Sequence, residues 1–185
     1  MGLLTIIKKQ KEKDHEIRIL MLGLDNAGKT TIVTSVLGLP ISKVSPTMGF
    51  EIKTVNHGGY NLNIWDIGGQ TTLRGFWGNY FDKTDVVLWV IDCLSMERLD
   101  ESFAELRQKV IEQDRLVGLK LLILINKVDL YEGGISELVL QITAILQLNE
   151  YVPDRSSWEI FPVSGKSGFG IEKVLDWIVE NERNE

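Results

Sequence analysis

The stretch GLDNAGKTT, Gly23 to Thr31, follows the apolar run IRILML and precedes the apolar run IVTSVL. Its residues Gly23 to Thr30 fit the pattern GxxxxGK[ST], in which a glycine-bearing loop joins a strand to a helix and directs backbone N–H groups at phosphates. Within this pattern, Lys29 is placed to reach the β- and γ-phosphates and Thr30 to offer its hydroxyl to Mg²⁺. We therefore predict a phosphate-binding loop with contacts from Asp25, Asn26, Ala27, Gly28, Lys29, Thr30 and Thr31.

Strand-like and helix-like segments alternate along the chain, which is typical of a parallel sheet covered by helices on both faces. One pair of strands breaks this order, because EIKTVN and YNLNIWD are separated only by HGG, which is too short for a crossover connection. These two segments must form an antiparallel hairpin, with glycines supplying the turn. The sequence thus predicts an α/β domain with a six-stranded, mostly parallel sheet and one antiparallel edge strand. Helices are expected at KTTIVTSVL, TTLRGFWGNY, MERLDESFAELRQKVIEQ, ELVLQITAILQ and GIEKVLDWIVEN.

Length and composition limit the classes of protein to which this chain can belong. Its 185 residues fit one domain, and no apolar run reaches the roughly 18 residues that a membrane span requires. A formal net charge of −6 argues against a nucleic-acid partner, since such proteins usually carry clustered Lys and Arg. The single cysteine, Cys93, rules out an internal disulfide and suits a reducing compartment, and its place in VVLWVIDC favours a buried strand end over a nucleophile. We expect a cytoplasmic protein and a monomer. His15 and His57 have no metal or catalytic spacing, and we expect both at the surface.

The segment LLILINKVD places Asn126, Lys127 and Asp129 just after a buried strand, at the edge of the sheet where open α/β folds bind ligands. A carboxylate such as Asp129 can accept hydrogen bonds from both the ring N–H and the exocyclic amino group of guanine, whereas adenine offers no such pair of donors on that edge. A tetrapeptide of this kind can also be a solvated loop. Beside a phosphate-binding loop, it indicates a guanine nucleotide.

The segment LNIWDIGGQ carries the groups expected around a terminal phosphate. Asp66 ends a strand and is suited to hold Mg²⁺ through water, and the backbone N–H of Gly69 can meet a γ-phosphate. Gln70 follows directly and can orient the attacking water. These groups are the ones that hydrolysis of a nucleoside triphosphate requires.

With these motifs the sequence resembles the small GTPases, and WDIGGQ, GLDNAGKT and PTMGF together resemble the ADP-ribosylation factor family more than the Ras or Rab branches. The resemblance covers almost the whole chain. It implies that Thr47 is the first-switch threonine that binds Mg²⁺ and the γ-phosphate, and that the catalytic residues are Gln70, Lys29 and Thr47. It also implies that the last guanine-contacting loop consists of Ser164, Gly165 and Lys166, with Gly165 standing where family members commonly have an alanine.

The same resemblance implies a surface for partner proteins beside the two switches. Phe50, Trp65 and Tyr80 match the aromatic residues with which family members contact effectors, and we expect activating proteins at the switches too. Large aromatic side chains are also ordinary core residues, and core packing is the alternative for each of the three. For Trp89, within a buried strand pattern, and Trp177, on an apolar helix face, we expect the core.

The N-terminal segment begins with Gly2, which carries myristate in ADP-ribosylation factors, but Ile6 stands where the acylation pattern requires Ser or Thr. We therefore predict no acyl chain and no stable membrane anchor. In their place we predict an amphipathic helix over residues 1–15, ahead of a GTPase domain over residues 16–185. This helix either packs against its own domain or binds a partner.

The start MGLLTI, the lysine-rich segment after it and WDIGGQ resemble the Arf-like two subgroup. That resemblance implies a cytosolic protein associated with tubulin-folding cofactors, tubulin and microtubules. The chain departs from the subgroup in LINKVDLYEGG, where Arf-like proteins often read NKQDLP. The departure indicates a divergent member.

Phosphoryl transfer requires positive charge near the γ-phosphate, and an arginine supplied in cis or by a partner raises the rate by about 10³ to 10⁵-fold. No arginine lies between Thr31 and Lys53, so the chain lacks a candidate for this role ahead of Thr47. We predict slow intrinsic GTP hydrolysis and hence a regulatory switch that depends on an activating protein. The alternatives are a GTP-dependent factor that releases lipidated cargo from carrier proteins and a P-loop kinase or ATPase, which NKVD disfavours.

Overall fold

The computed structural model describes residues 15–183, and its centre is a six-stranded sheet. The strands are β1 (Glu16–Gly23), β2 (Phe50–His57), β3 (Tyr60–Ile67), β4 (Val86–Asp92), β5 (Lys120–Asn126) and β6 (Trp158–Pro162). They lie in the order β2-β3-β1-β4-β5-β6, and every neighbouring pair is parallel except β2 with β3. The prediction of a mostly parallel sheet with one antiparallel edge strand is confirmed.

The α-helices of the described residues are α1 (Lys29–Val36), α2 (Thr71–Arg74), α3 (Leu99–Leu106), α4 (Ile135–Leu146), α5 (Leu148–Tyr151) and α6 (Ile171–Arg183). Helices α1 and α6 cover one face of the sheet, where Ile32 and Ile178 join the core. Helices α3 and α4 cover the other face through residues such as Leu106 and Ile142. Strands β4 and β5 are therefore buried on both faces, which explains why they read as unbroken apolar runs.

The hairpin of β2 and β3 turns at Gly58 and Gly59, whose φ angles are 56° and 83°. Such left-handed angles favour glycine, in agreement with the turn predicted at HGG. The tip of the hairpin also contacts α6, because Nε2 of His57 lies 2.7 Å from Oδ1 of Asp176. The histidine expected at the surface is thus half-buried and bonded to the last helix.

The helix predicted for TTLRGFWGNY is wrong beyond its first turn. Only α2 is α-helical, and a 3₁₀ helix follows at Trp77–Lys83. Gly75, which ends α2, is a poor helix former, and the indole of Trp77 donates to the carbonyl oxygen of Gly68 at 3.2 Å. The Trp77 side chain is therefore turned into the core, and the chain continues as a 3₁₀ helix instead of extending the α-helix.

The helical stretch predicted for MERLDESFAELRQKVIEQ changes type along its length. It begins as a 3₁₀ turn at Met96–Arg98, continues as α3 and ends in a π-helix at Arg107–Ile111. An apolar periodicity detects such a stretch as helical but does not separate the three types.

Side chains predicted to be in the core are found there. Trp89 is fully buried and packs edge-to-face on Trp77, with ring centroids 5.5 Å apart. Trp177 is partly buried against the core. Cys93 is buried, and burial raises the pKa of its thiol to about 11, so this cysteine is a core residue and not a nucleophile.

The amphipathic helix predicted over residues 1–15 lies, apart from His15, outside the described residues, and it stays a prediction. Among residues 15–183, no helix has both the length and the apolar character that crossing a membrane would require. His15 is exposed and packs its ring edge-to-face on Tyr60, with centroids 5.1 Å apart.

Candidate functional site

Loops at the carboxyl edge of the sheet enclose a cavity of about 670 Å³, within the roughly 300–1,000 Å³ typical of small-molecule sites. The cavity is lined by thirteen of the residues that the sequence assigned to the nucleotide, the cation or catalysis: Asp25, Asn26, Gly28, Lys29, Thr30, Thr31, Thr47, Gly69, Gln70, Asn126, Lys127, Asp129 and Lys166. The other four, Ala27, Asp66, Ser164 and Gly165, are buried behind them. The structure also adds Ile41 and Val44 to the wall.

The loop after β1 has the backbone shape that its glycines predicted. Asn26 and Gly28 adopt left-handed φ angles of 61° and 93°. Gly28 also allows close packing, since a Cβ there would lie 2.2 Å from Nδ2 of Asn126. Helix α1 begins at the next residue, so its first backbone N–H groups, which have no partner within the helix, lie at the cavity. This arrangement suits an anion.

Lys29 is buried at the base of this loop, with 6% of its surface exposed. Its ammonium donates to the carbonyl oxygens of Gly23 at 3.0 Å and Leu24 at 2.9 Å. Burial lowers the pKa of Lys29 to about 8. An anionic ligand in the cavity would give this ammonium a full counter-charge in addition to the two carbonyl dipoles.

Thr30, Thr47 and Asp66 come from three separate segments and meet in one cluster. Thr30 Oγ1 donates to Oδ2 of Asp66 at 2.5 Å, and Thr47 Oγ1 lies 2.6 Å from Thr30 Oγ1 and 3.1 Å from the same carboxylate oxygen. The other oxygen of Asp66, Oδ1, is buried and finds no hydrogen-bond partner within residues 15–183. Burial raises the pKa of Asp66 above its usual value. These hard oxygen donors, with one unsatisfied carboxylate oxygen, fit a divalent cation.

Gly69 brings the segment after β3 against the phosphate loop. A Cβ at this position would lie 2.4 Å from the carbonyl oxygen of Gly23 and 2.5 Å from the backbone nitrogen of Asp25, so only glycine allows the approach. Gln70 follows on the cavity wall, where its side-chain amide nitrogen contacts the sulfur of Met48 at 3.8 Å. A thioether is a weak acceptor, so the Gln70 amide is not committed to a strong partner.

Asn126 joins the two ends of the cavity. Its Nδ2 donates to the carbonyl oxygen of Ala27 at 2.9 Å, and its Oδ1 accepts from the backbone N–H of Gly165 at 3.0 Å. The side chain is almost fully buried. Asn126 is thus placed to fix the phosphate loop relative to the last loop of the site.

Lys127 and Asp129 are each held in place by hydrogen bonds to other loops of the site. The Lys127 ammonium donates to the carbonyl oxygen of Asn26 at 2.8 Å and to Oδ2 of Asp92 at 2.6 Å. Asp129 accepts from the hydroxyl of Ser164 at 2.6 Å through one carboxylate oxygen. The Asp129 carboxylate is exposed to the cavity and oriented from behind, as recognition of a base edge requires.

Gly165 packs under the first turn of α1. A Cβ there would lie 2.9 Å from the backbone nitrogen of Ile32 and 3.1 Å from its Cγ1. This crowding gives a structural reason for glycine at this position. Lys166 is exposed at the rim of the cavity.

Two arginines at the site were missed by the sequence analysis. Arg74 is 4% exposed and donates to the carbonyl oxygen of Gly69 at 2.9 Å, and Arg98 donates to Oδ1 of Asp25 at 3.0 Å. The absence of arginine between Thr31 and Lys53 concerns only the segment around Thr47, and these two arginines lie after that segment. The signal available in the sequence was the acidic Asp25 inside the phosphate loop, since a nearby cation would reduce its repulsion of a phosphate.

The aromatic residues beside the site form one continuous cluster. Phe50 stacks on Trp65 with ring centroids 5.8 Å apart, and Tyr80 lies 5.6 Å from Phe50 and 5.9 Å from Trp65. Trp65 and Tyr80 pack against the core, while Phe50 is 48% exposed. Core packing therefore holds for Trp65 and Tyr80, while Phe50 leaves an apolar surface exposed, and partner binding at this surface stays a prediction.

Comparison with known proteins agrees with this geometry. The model of the ADP-ribosylation factor family matches residues 3–182 of the chain. ADP-ribosylation factor-like protein 2 of Dictyostelium discoideum is 46% identical over 181 residues, which cover 98% of this chain and 95% of that protein. The protein of the same name in Drosophila melanogaster is 45% identical over 179 residues, which cover 97% of this chain and 94% of that protein.

A solved structure has the same fold. The Arl6 BBS3 small GTPase of Trypanosoma brucei, with the bound nucleotide analogue GppNp, aligns with a TM-score of 0.75 at 29% identity, covering 92% of this chain and 99% of that one. The similarity thus extends from the sheet to both ends of the domain, and the expected resemblance to the Arf-like two subgroup is confirmed. The chain belongs to the ADP-ribosylation factor family and is a small GTPase.

Proposed function

We propose that this GTPase is a slow regulatory switch whose GTP-bound form is recognised by partner proteins, and that it acts with tubulin-folding cofactors in microtubule biogenesis. The observation that carries the switch is the contact of Thr47 with Thr30 and Asp66. Thr47 belongs to the segment that leads into β2, so the cluster ties this segment to the phosphate site. A ligand that engages these groups would therefore change the stability of a segment on the protein surface.

We assign guanine selection to Asp129, with Asn126 and Lys127 as supports. The free oxygen of the Asp129 carboxylate faces the cavity, and the hydroxyl of Ser164 fixes the other oxygen. Lys127 and Asn126 connect this end to the phosphate loop through the carbonyl oxygens of Asn26 and Ala27. The base and the phosphates would thus be held at a fixed separation.

We assign Mg²⁺ binding to the hydroxyls of Thr30 and Thr47 and to Asp66, whose contact is expected through water. The orphaned buried oxygen of Asp66 supports this assignment, since an unsatisfied buried carboxylate oxygen is costly. Mg²⁺ usually takes one or two carboxylates together with substrate phosphates, which matches a site with a single carboxylate. When bound, the cation would neutralise charge that develops on the phosphates.

In hydrolysis we assign Lys29 to the β- and γ-phosphates, the backbone N–H of Gly69 to the γ-phosphate and Gln70 to the attacking water. Slow intrinsic turnover follows from the positions of the nearby arginines. Arg74 and Arg98 are both engaged with carboxylates, so neither is free to stabilise the charge of the transition state. A partner would have to supply that charge.

A single-turnover assay tests the hydrolysis step. The purified protein, loaded with GTP and Mg²⁺, should convert it to GDP much more slowly than after addition of a cytosolic extract that contains an activating protein. Fast hydrolysis by the protein alone would contradict the switch proposal. Displacement of GTP by ATP at equal concentration would instead favour the kinase or ATPase alternative.

The partner assignment rests on similarity to Arf-like two proteins and on the exposed cluster around Phe50. It is tested by pull-down from cytosol with Gln70→Leu, which should retain GTP, against Thr30→Asn, which should favour the GDP or empty form. Recovery of tubulin or its folding cofactors with a clear preference between the two forms supports the microtubule role. Recovery of lipid-binding carriers on the GTP form alone supports release of lipidated cargo, and recovery of neither class contradicts both.

Two surface variants control for non-specific capture. Phe50→Ala in the Gln70→Leu background should lose partners that recognise the aromatic cluster without loss of nucleotide. Leu140→Ala removes an apolar side chain on α4 that is 70% exposed and remote from the cluster, and it should change nothing. Equal losses from both variants would show that capture is not specific to the switch surface.

A further inference from the structure

An acidic residue stands inside the phosphate loop, where its charge would oppose a phosphate ligand. The backbone of Asp25 lies beside the segment assigned to the γ-phosphate, since a Cβ on Gly69 would approach the Asp25 nitrogen to 2.5 Å. Asp25 also lines the nucleotide cavity. A carboxylate turned into the cavity here would repel the terminal phosphate more than the others.

Arg98 holds the Asp25 side chain away from that position. Its Nη2 donates to Oδ1 of Asp25 at 3.0 Å, and its Nη1 donates to the backbone carbonyl oxygen of the same residue at 3.2 Å. The two contacts fix both the side chain and the peptide of Asp25 to one planar guanidinium. The hydrogen bonds to Arg98 lower the pKa of Asp25, so the carboxylate is ionised at neutral pH and its orientation matters.

Arg74 supplies a second positive charge from a fixed position. Its Nη2 lies 3.3 Å from Oδ1 of Asp25, while its Nη1 is held by Glu101 at 2.9 Å and Glu105 at 3.1 Å. Its Nε donates to the carbonyl oxygen of Gly69. The phosphate loop, the Gly69 segment and α3 therefore meet at one buried guanidinium.

We propose that Arg98, supported by Arg74, is a specificity-determining residue that turns and neutralises the Asp25 carboxylate, so that the phosphate loop retains a nucleoside triphosphate relative to a diphosphate. Arg98 acts through Asp25 and is not among the residues that line the nucleotide cavity. Arg98 and Asp25 together set the ratio of the affinities for the triphosphate and the diphosphate. The proposal makes no claim about the choice of partner or of base. The inference rests on the phosphate site of the proposed function but not on its microtubule role.

The test measures dissociation rates of fluorescent GDP and of fluorescent GppNHp, both with Mg²⁺, and takes their ratio. Arg98→Ala should raise the rate for GppNHp roughly tenfold more than the rate for GDP, because Arg74 alone does not hold the Asp25 carboxylate away from the terminal phosphate. In an Asp25→Asn background the same change should have no differential effect, because no charge is left to neutralise. Arg98→Lys, which keeps the charge, should restore most of the ratio.

Arg107, which follows α3 in the chain, provides a matched control for Arg98. Arg107→Ala removes an exposed arginine that pairs with Glu112 at 2.7 Å, and it should leave both rates unchanged. If Arg98→Ala accelerates both nucleotides equally in both backgrounds, Arg98 only anchors the loop and the proposal is wrong. If Arg98→Ala does not fold, Arg98→Gln in the same cycle decides, since a preserved ratio with Asp25 intact would overturn the proposal.

Failure of the proposed function gives a different result from failure of this inference. A protein that binds adenine nucleotides would still show the differential between tri- and diphosphates when the assay is repeated with ATP analogues. A protein that releases GDP and GppNHp with the expected cycle but captures no partner would support the Arg98 role and contradict only the partner assignment.

Discussion

Asn126 donates its side-chain N–H to the carbonyl oxygen of Ala27 at 2.9 Å, across 99 positions of the chain. We expect Asn126→Ala to leave two buried backbone groups without partners, the carbonyl of Ala27 and the N–H of Gly165. Each such group costs about 1–3 kcal/mol, so the free energy of unfolding should fall by roughly 2–6 kcal/mol. Thermal and denaturant unfolding in excess GDP would measure the loss.

The control for Asn126→Ala is Asn56→Ala, which removes an exposed amide hydrogen bond to Asn61 at 3.2 Å. This change should alter the free energy of unfolding by no more than about 0.5 kcal/mol. Similar losses from the two variants would mean that the Asn126 bridge adds nothing beyond an ordinary surface contact.

Lys29 should make the stability of the nucleotide-free protein depend on pH. Its pKa falls from 10.5 to about 8 on folding, because the ammonium is buried. Between these two values the unfolded state binds more protons than the folded state, so the Lys29 contribution to stability rises with pH across this window. Below about pH 8 both states are protonated and the cost of burial is fully present.

The measurement compares the free energy of unfolding of the wild type and Lys29→Met from about pH 7 to about pH 10.5 in EDTA. The difference should move in favour of the wild type by about 1.4 kcal/mol for each pKa unit between the folded and unfolded states. Saturating GDP should remove the trend, because phosphates stabilise the ammonium. A difference that is constant with pH would show that Lys29 is not protonated differently in the two states.

Gly165→Ala should disturb the site although it adds only one methyl group. Its Cβ would lie 2.9 Å from the backbone nitrogen of Ile32, so α1 or the loop must move. We expect a loss of about 1–3 kcal/mol in the free energy of unfolding and faster release of GDP. Gly75→Ala is the control, since that glycine has φ of −61° and open space around its Cβ position. Equal behaviour of the two variants would argue against crowding at Gly165.

The outer edge of β6 should resist pairing with other chains. Arg155 donates to the carbonyl oxygen of Trp158 at 2.5 Å, and the carboxylate of Glu159 accepts from the N–H of Ile160 at 3.0 Å. Arg155 also pairs with Glu159 at 3.0 Å, so charged side chains occupy backbone groups that an edge strand leaves open. This protection agrees with the expectation of a monomer.

The double variant Arg155→Ala/Glu159→Ala should therefore self-associate at concentrations where the wild type is monomeric. Sedimentation velocity or light scattering would measure the change. The control is Arg107→Ala/Glu112→Ala, which deletes an exposed Arg–Glu pair away from the sheet. A monomeric β6 variant would contradict the protective role.

The sequence predicts most of the site because its motifs are continuous. Lys29 and Thr30 occupy fixed places in GLDNAGKT, and Asn126 and Asp129 occupy fixed places in NKVD, so the order of strands alone brings them to one edge. Thr47 lies outside both motifs, and only a family resemblance indicated it. In the structure its hydroxyl oxygen lies 2.6 Å from that of Thr30.

The ion pairs around Asp25 could not be predicted in the same way. Arg74 and Arg98 lie 49 and 73 positions from Asp25, and their pairing depends on how the Gly69 segment and α3 pack. The end of the α-helix after α2 could not be predicted for the same reason. The indole of Trp77 donates to the carbonyl oxygen of Gly68, and this tertiary contact accompanies the change to a 3₁₀ helix. Both features arise from packing between elements, which local periodicity does not contain.

The bond between His57 and Asp176 gives the β2–β3 hairpin a fixed far end. Its near end, Phe50, follows the Thr47 segment at the phosphate site, and the ladder pairs every residue from Phe50 to His57 with β3. Eight extended residues span roughly 26 Å, about the width of a small domain. A displacement of β2 at the phosphate end would reach α6 through this ladder and the contact of His57 with Asp176. The hairpin thus gives the Thr47 segment a continuous backbone connection to the helix that packs on the other end of β2.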